Sequence, residues 1–170
     1  DNSLNFPDFR SYERCYQLIQ QVSGRSGRSD EKGEVIIQTN NPGNQILQKI
    51  IYGKETDFYQ EQILDRESFK YPPYVKLIKI TFKHQNISKV NNSSQWFHSR
   101  VYPYFKSNIL GPEFPHISRI RNKYLKSVLI KIPDDYSLSG VKKIIKKSIN
   151  SLHSISEFRP VRIIVDVDPY

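Results

Sequence analysis

The chain has 170 residues, with 26 Lys and Arg against 17 Asp and Glu, so it is long enough for one good domain or two small ones and carries a net charge of +9. A single cysteine, Cys15, excludes a disulfide framework and a zinc site built from this chain's own thiols, and no run of about 18 apolar residues marks a membrane span. The lack of Met, initiator included, and of a signal peptide points to an internal or C-terminal excerpt of a longer, cytoplasmic protein.

Residues 11–24 place Tyr12, Cys15, Leu18, Ile19 and Val22 on one helical face, with Ser11 as N-cap and Glu13 in the first turn, where it suits the helix dipole. "GRSDEKG", residues 27–33, follows as an exposed loop. "EVIIQT", residues 34–39, is a β-branched apolar run expected to be a buried strand. A turn at "NNPGN" leads into a helix over 45–53, closed by Gly53, and then a second helix over 56–69. "YPPY", residues 71–74, enforces an extended connector, and the domain boundary is placed there, dividing 1–70 from 71–170.

Past the boundary, Val75, Leu77, Ile78, Ile80 and Phe82 are interleaved with lysines, which predicts a strand with one wet face. A helix is expected around Trp96, Phe97, Val101 and Phe105, interrupted by Pro103; then a short strand and turn at "NILGPEFP" and a strand at "YLKSVLIKI". Residues 138–155 form an amphipathic helix with Val141, Ile145, Ile149 and Leu152 inward and Lys142, Lys143, Lys146 and Lys147 on the other side. "VRIIVDVD" closes the series as a strand. The order β-α-β-β-α-β is the split, ferredoxin-like arrangement of two helices on one face of a four-stranded sheet.

The charge is uneven. Residues 1–70 carry 9 basic and 11 acidic side chains, whereas residues 71–170 carry 17 and 6. A strongly basic second part with interleaved Tyr and Phe favours nucleic acid as a partner over a purely electrostatic membrane contact. Its densest basic and aromatic cluster is Arg119, Arg121, Lys123, Tyr124 and Lys126, the leading group for DNA contact. The four-lysine helix face suits phosphates or an acidic membrane, with a merely solvated face as the plain alternative. Asp166 and Asp168 share one side of a strand but lack a third ligand, so a structural role at the strand's end is preferred to a metal site.

"QQVSGRSGR", residues 20–28, sets two arginines three apart, each behind a glycine, at the end of a helix. Arg offers a permanent charge and a planar fork matched to phosphate oxygens, and Arg25, Arg28 and Gln21 fall on one helical face. Gly24 and Gly27 let backbone approach closely. The plain alternative is a solvated helix end whose arginines meet Asp30 and Glu31.

The string resembles motif VI of the superfamily-two helicases, Q-x-x-G-R-x-G-R. Its surroundings, "FPDFRSYERCYQLIQQVSGRSGR", "GEVIIQT", "DRESFKYPPY", "LGPEFP", "RIRNKYLKSVLIKI" and "DVDP", are similar in order to the primosomal protein N-prime family of replication-restart helicases, over essentially the whole chain. The resemblance implies that Arg28 is the arginine finger on the γ-phosphate of ATP and that Arg25 and Gln21 contact phosphates, with Gly24 and Gly27 setting the loop. It implies that residues 1–70 end a second RecA-like lobe of α/β type and that residues 71–170 form an α+β, S10-like domain that helps hold branched DNA. The implied partners are branched and single-stranded DNA, single-stranded-DNA-binding protein and the primosome loaders, with no membrane.

The chain lacks a Walker loop, since "YGKET" has neither the upstream glycine nor the hydroxyl after the lysine, and it lacks a DExx box. The excerpt alone is therefore expected not to hydrolyse ATP; the ATP and Mg2+ site would be completed by the other lobe. The family's Zn2+ sites need eight cysteines placed upstream, so no zinc ligands are expected here. An edge-exposed remnant of a lobe is expected to self-associate or to be loosely ordered. The rival reading is a stand-alone nucleic-acid module, such as a ribosome-associated RNA binder, which leaves "QQVSGRSGR" without a role.

Overall fold

The computed structural model describes residues 8–26 and 34–169. The chain divides into two compact units, the first ending at Phe69 and the second spanning Lys70–Pro169.

Among its described residues the first unit is helical: α1 (Ser11–Ser26), α2 (Gln45–Ile51) and α3 (Glu55–Ser68). Asn44 starts α2 by accepting a hydrogen bond from the Ile46 N–H on its side chain. The core is small: Cys15 and Tyr16 of α1, Ile46 and Leu47 of α2, and Phe58 of α3. Tyr16 stacks on Phe58 with ring centroids 4.4 Å apart and 11° between planes.

Three expectations for this unit need correction. Ser11 begins α1 rather than capping it, its own N–H donating to the Asp8 carbonyl, and the helix runs through Gly24 to Ser26. The buried face is Cys15 and Tyr16 with Ile19 packed against them, while Tyr12, Leu18 and Val22 are exposed. The expected buried strand at 34–39 does not form: the residues belong to no regular element and no sheet. Alternate residues face outward, Ile36 at 85 % exposure, while Ile37 packs on the small core. A β-branched run makes a strand only where a neighbouring strand completes its ladder, and the described part of this unit contains none.

The second unit is α+β with an antiparallel sheet. Its elements are β1 (Val75–His84), α4 (Ile87–Phe105), β2 (Ile109–Glu113), β3 (Arg119–Ile120), β4 (Lys123–Pro133), α5 (Leu138–Ser154) and β5 (Arg162–Val167). The sheet order is β2-β4-β1-β5, with the two-residue β3 added beside β4. Ile78, Ile80 and Phe82 of β1 sit opposite Ile130, Val128 and Lys126 of β4. The period of two puts Ile78, Ile80, Phe82, Val128, Ile130 and Ile132 on one side, where they share a core with Val90, Phe97, Val101 and Phe105 of α4 and Val141, Ile145 and Leu152 of α5. Both helices thus cover the same face of the sheet.

Local chemistry explains the element ends. Asn86 caps α4 by accepting from the Ser88 and Lys89 N–H groups, and Ser137 caps α5 by accepting from Gly140. Pro103 does not interrupt α4; it lies in its last turns, and the helix continues to Phe105 before one 3-10 turn at Lys106–Asn108. In "LGPEFP", Gly111 has φ +88°, and a Cβ there would stand 2.7 Å from the Ser127 carbonyl oxygen, so only glycine lets β2 lie against β4.

Candidate nucleic-acid interface

Of the motif-VI-like residues, Gln21, Gly24 and Arg25 lie in the last turns of α1 and all three are exposed. Gln21 and Arg25 are four apart, hence on one face. A Cβ added to Gly24 would meet no described atom within 4 Å. Three ion pairs join described residues: Arg14 with Asp8 at 2.8 Å, Lys49 with Glu61, and Arg66 with Glu13. Arg25 takes part in none of them. Gly27 and Arg28 lie outside the described residues, as do Asp30, Glu31 and the expected loop 27–33. What remains is an exposed guanidinium and an exposed amide on one face of α1.

The cluster at 119–126 is built by a β-hairpin. β3 turns into β4 through Arg121 and Asn122, both left-handed (φ 49° and 59°), the backbone of a type I′ turn. Asn122 suits such a turn but Arg121 does not; an L-residue such as Arg121 is strained there by on the order of 1–2 kcal/mol. The turn holds Arg119, Arg121 and Lys123 together at an exposed tip. Arg119 bonds the Asn122 side-chain carbonyl, and its guanidinium lies 5.0 Å from the centre of the Tyr124 ring.

Lys126 separates from that tip. Its Nζ donates to Asn91 of α4 at 2.9 Å and sits 5.0 Å from the Phe114 ring centre, so it fastens the hairpin's base to the helix layer. Sequence spacing grouped it with the others because strand alternation alone does not reveal a partner 35 residues away.

Lys142, Lys143, Lys146 and Lys147 are exposed on α5. With Lys89 and Arg100 on α4 they form a helix layer containing no Asp or Glu, a second positively charged region of this unit. Asp168 has a structural role, since its carboxylate accepts from the Leu77 N–H at 3.1 Å and its own N–H donates to the Leu77 carbonyl at 2.8 Å. Asp166 faces Lys79 across the ladder. No group of three His, Cys, Asp or Glu side chains comes together among the described residues. Lys131 is nearly buried, 4.0 Å from the Tyr71 ring centre; burial, and secondarily Lys70, push its pKa below the usual lysine value. Burial pushes the pKa of the Cys15 thiol up, which disfavours its thiolate.

No helix among the described residues is long and apolar enough to cross a membrane. The family model of the primosomal protein N C-terminal domain matches residues 67–170. Among curated proteins, the replication restart protein PriA of Bacillus subtilis is 34 % identical over 100 % of this chain and 21 % of its own length. Its namesake from Synechocystis is 34 % identical over 99 % of the chain and 19 % of its own length, and that from Treponema pallidum 30 % over 99 % and 25 %. The chain therefore spans about a fifth to a quarter of these relatives. The matches run through "QQVSGRSGR" as well as the basic domain, and the chain belongs to the family of the replication restart protein PriA.

Proposed function

We propose that the parent protein is an ATP-dependent 3′-to-5′ DNA helicase that recognises stalled or branched forks in the cytoplasm and restarts replication by primosome assembly. This chain contributes two parts to it. Residues 1–70 are the end of a second RecA-like lobe: Arg28 stabilises charge on the γ-phosphate of ATP, and Arg25 with Gln21 holds phosphate oxygens. An arginine in that role is worth roughly three to five orders of magnitude in turnover. The exposure of Gln21 and Arg25 on one face of α1 is what this reading of the two residues rests on. Bound ATP and Mg2+ supply the phosphoryl chemistry, and the preceding lobe supplies the rest of their site. The lone buried Cys15 does not fit a zinc site, so zinc enters no step.

Residues 71–170 are the DNA-gripping domain. The β2-β4-β1-β5 order with two helices on one face supports reading it as a ferredoxin-like, S10-like domain. Arg119, Arg121 and Lys123 contact backbone phosphates from the hairpin tip, with Tyr124 bracing Arg119. Single-stranded-DNA-binding protein and the primosome loaders are the partners that this activity requires.

The observation that carries the reading is the basic hairpin: a chain of the replication-restart family holds Arg121 in a left-handed turn that glycine would occupy with less strain. Replacing Arg121→Gly should therefore stabilise the domain by about 0.5–1 kcal/mol while weakening binding to forked DNA. The log–log salt slope should fall by about one unit for each lost phosphate contact. Fork affinity and salt slope that both stay at the parent value would remove the hairpin from the interface.

A further inference from the structure

The start of α1 and the end of α3 are locked together. Arg66, in the last turn of α3, donates to the carboxylate of Glu13, in the first turn of α1. Their side chains are only 15 % and 19 % exposed. The Arg66 guanidinium lies 4.9 Å from the centre of the Phe9 ring, and Arg10 lies 5.1 Å from the same ring. Asp8, its side chain 1 % exposed, accepts from the Arg10 N–H at 2.9 Å and pairs with Arg14 at 2.8 Å. Each charge also suits its helix, the anion at an N-terminus and the cation at a C-terminus. A mostly buried pair of this kind tolerates the loss of one partner poorly, because the other charge stays desolvated.

The cluster occupies a particular place. α3 leads through Phe69 straight into the second unit at Lys70. α1 carries Gln21 and Arg25 towards its opposite end, eight and twelve residues beyond Glu13. At about 1.5 Å per residue that is a lever of about 18 Å, and a tilt of about 10° at its base moves Arg25 by about 3 Å. Misplacement by about 1 Å near reacting groups already costs about a hundredfold in rate.

We propose that Arg66 is a positioning residue: by clamping Glu13 and Phe9 it fixes the base of α1 to the end of α3, the segment leading into the DNA-gripping domain, and so sets the aim of Gln21 and Arg25 at the far end of α1, coupling DNA engagement to turnover. This rests on reading Gln21, Arg25 and Arg28 as nucleotide contacts.

The test uses the full-length parent protein and ATP hydrolysis with and without forked DNA. Arg66→Ala should lower the fork-stimulated kcat about tenfold, with Arg66→Lys recovering it to within about threefold, and Glu13→Gln should resemble Arg66→Ala. The KM for ATP and the fork Kd should stay within about twofold of the parent, and circular dichroism should show each variant folded at the assay temperature. Unchanged fork stimulation in Arg66→Ala would overturn the proposal, as would a matching loss of fork binding and kcat, the mark of a merely structural role. Arg28→Ala separates the two levels. If it abolishes turnover while Arg66→Ala is normal, only the clamp fails; if it hydrolyses ATP at the parent rate, the nucleotide reading fails and takes the clamp with it.

Discussion

The two units solve the burial problem differently. The second closes a core of sixteen buried residues drawn from β1, β2, β4, α4, α5 and the turn before β5. Each fully buried Ile, Leu or Phe there contributes roughly 1.5–3 kcal/mol. The first gathers five, and leaves Leu18, Val22, Ile36, Ile51, Tyr52, Ile63, Leu64 and Phe69 all more than half exposed. Polar networks do more of the holding there, with the Arg66–Glu13 clamp and the Asp8–Arg14 pair beside the Tyr16–Phe58 stack. A sheet with two covering helices is self-sufficient; three helices around one aromatic pair are a surface that expects company.

The strongest way to break this contrast is to separate the units. Residues 70–170 alone should fold cooperatively, with β1 and β4 amides protected from hydrogen exchange to the global stability, about 5–10 kcal/mol. Residues 1–69 alone should show protection of at most about 2 kcal/mol in α1 and α3. Equal protection in both fragments would erase the distinction.

A finer cut compares two fully buried phenylalanines. Phe97→Ala, which empties the core between α4 and the sheet, should cost about 3–5 kcal/mol and lower the main unfolding transition. Phe58→Ala is the same chemical change in the small core. It should abolish the near-ultraviolet signal of the Tyr16 stack but leave the midpoint of the second unit unmoved. A single transition shifted alike by both variants would mean that the two units unfold as one.

The smallest effect concerns pH. Lys131 has its folded-state pKa below the unfolded value of 10.5, so the protonated form is penalised by folding. That penalty is fully present below the folded pKa and is relieved as pH rises from it towards 10.5. Denaturant midpoints of the second unit should therefore climb over that interval, and Lys131→Met should flatten the climb. A slope unchanged in Lys131→Met assigns the pH dependence to other groups.

Much of the second unit was legible from residue patterns. The alternation from Val75 to Phe82 marks β1, and the spacing of Val141, Ile145 and Leu152 marks α5, because each has one dry face and one wet face. The first unit was less legible. "EVIIQT" has strand composition, yet composition does not supply a neighbour, and Leu18 and Val22 follow a helical stripe whose covering partner is not among the described residues. Of the candidate site, the exposure of Gln21 and Arg25 follows from the glycine-rich end of α1. Arg121 breaks the usual chemistry of its turn, which hid the hairpin, and the Arg66–Glu13 pair was hidden because its members lie 53 residues apart.

The double hydrogen bond between Asp168 and Leu77 has a wider consequence. It fastens the last strand of the second unit beside the opening of its first, so the polypeptide enters and leaves on neighbouring strands. A module with its doorways side by side can be grafted onto the end of another protein, or into one of its loops, without rethreading either partner. Transplanting residues 70–169 onto an unrelated carrier should accordingly carry the positively charged hairpin along intact.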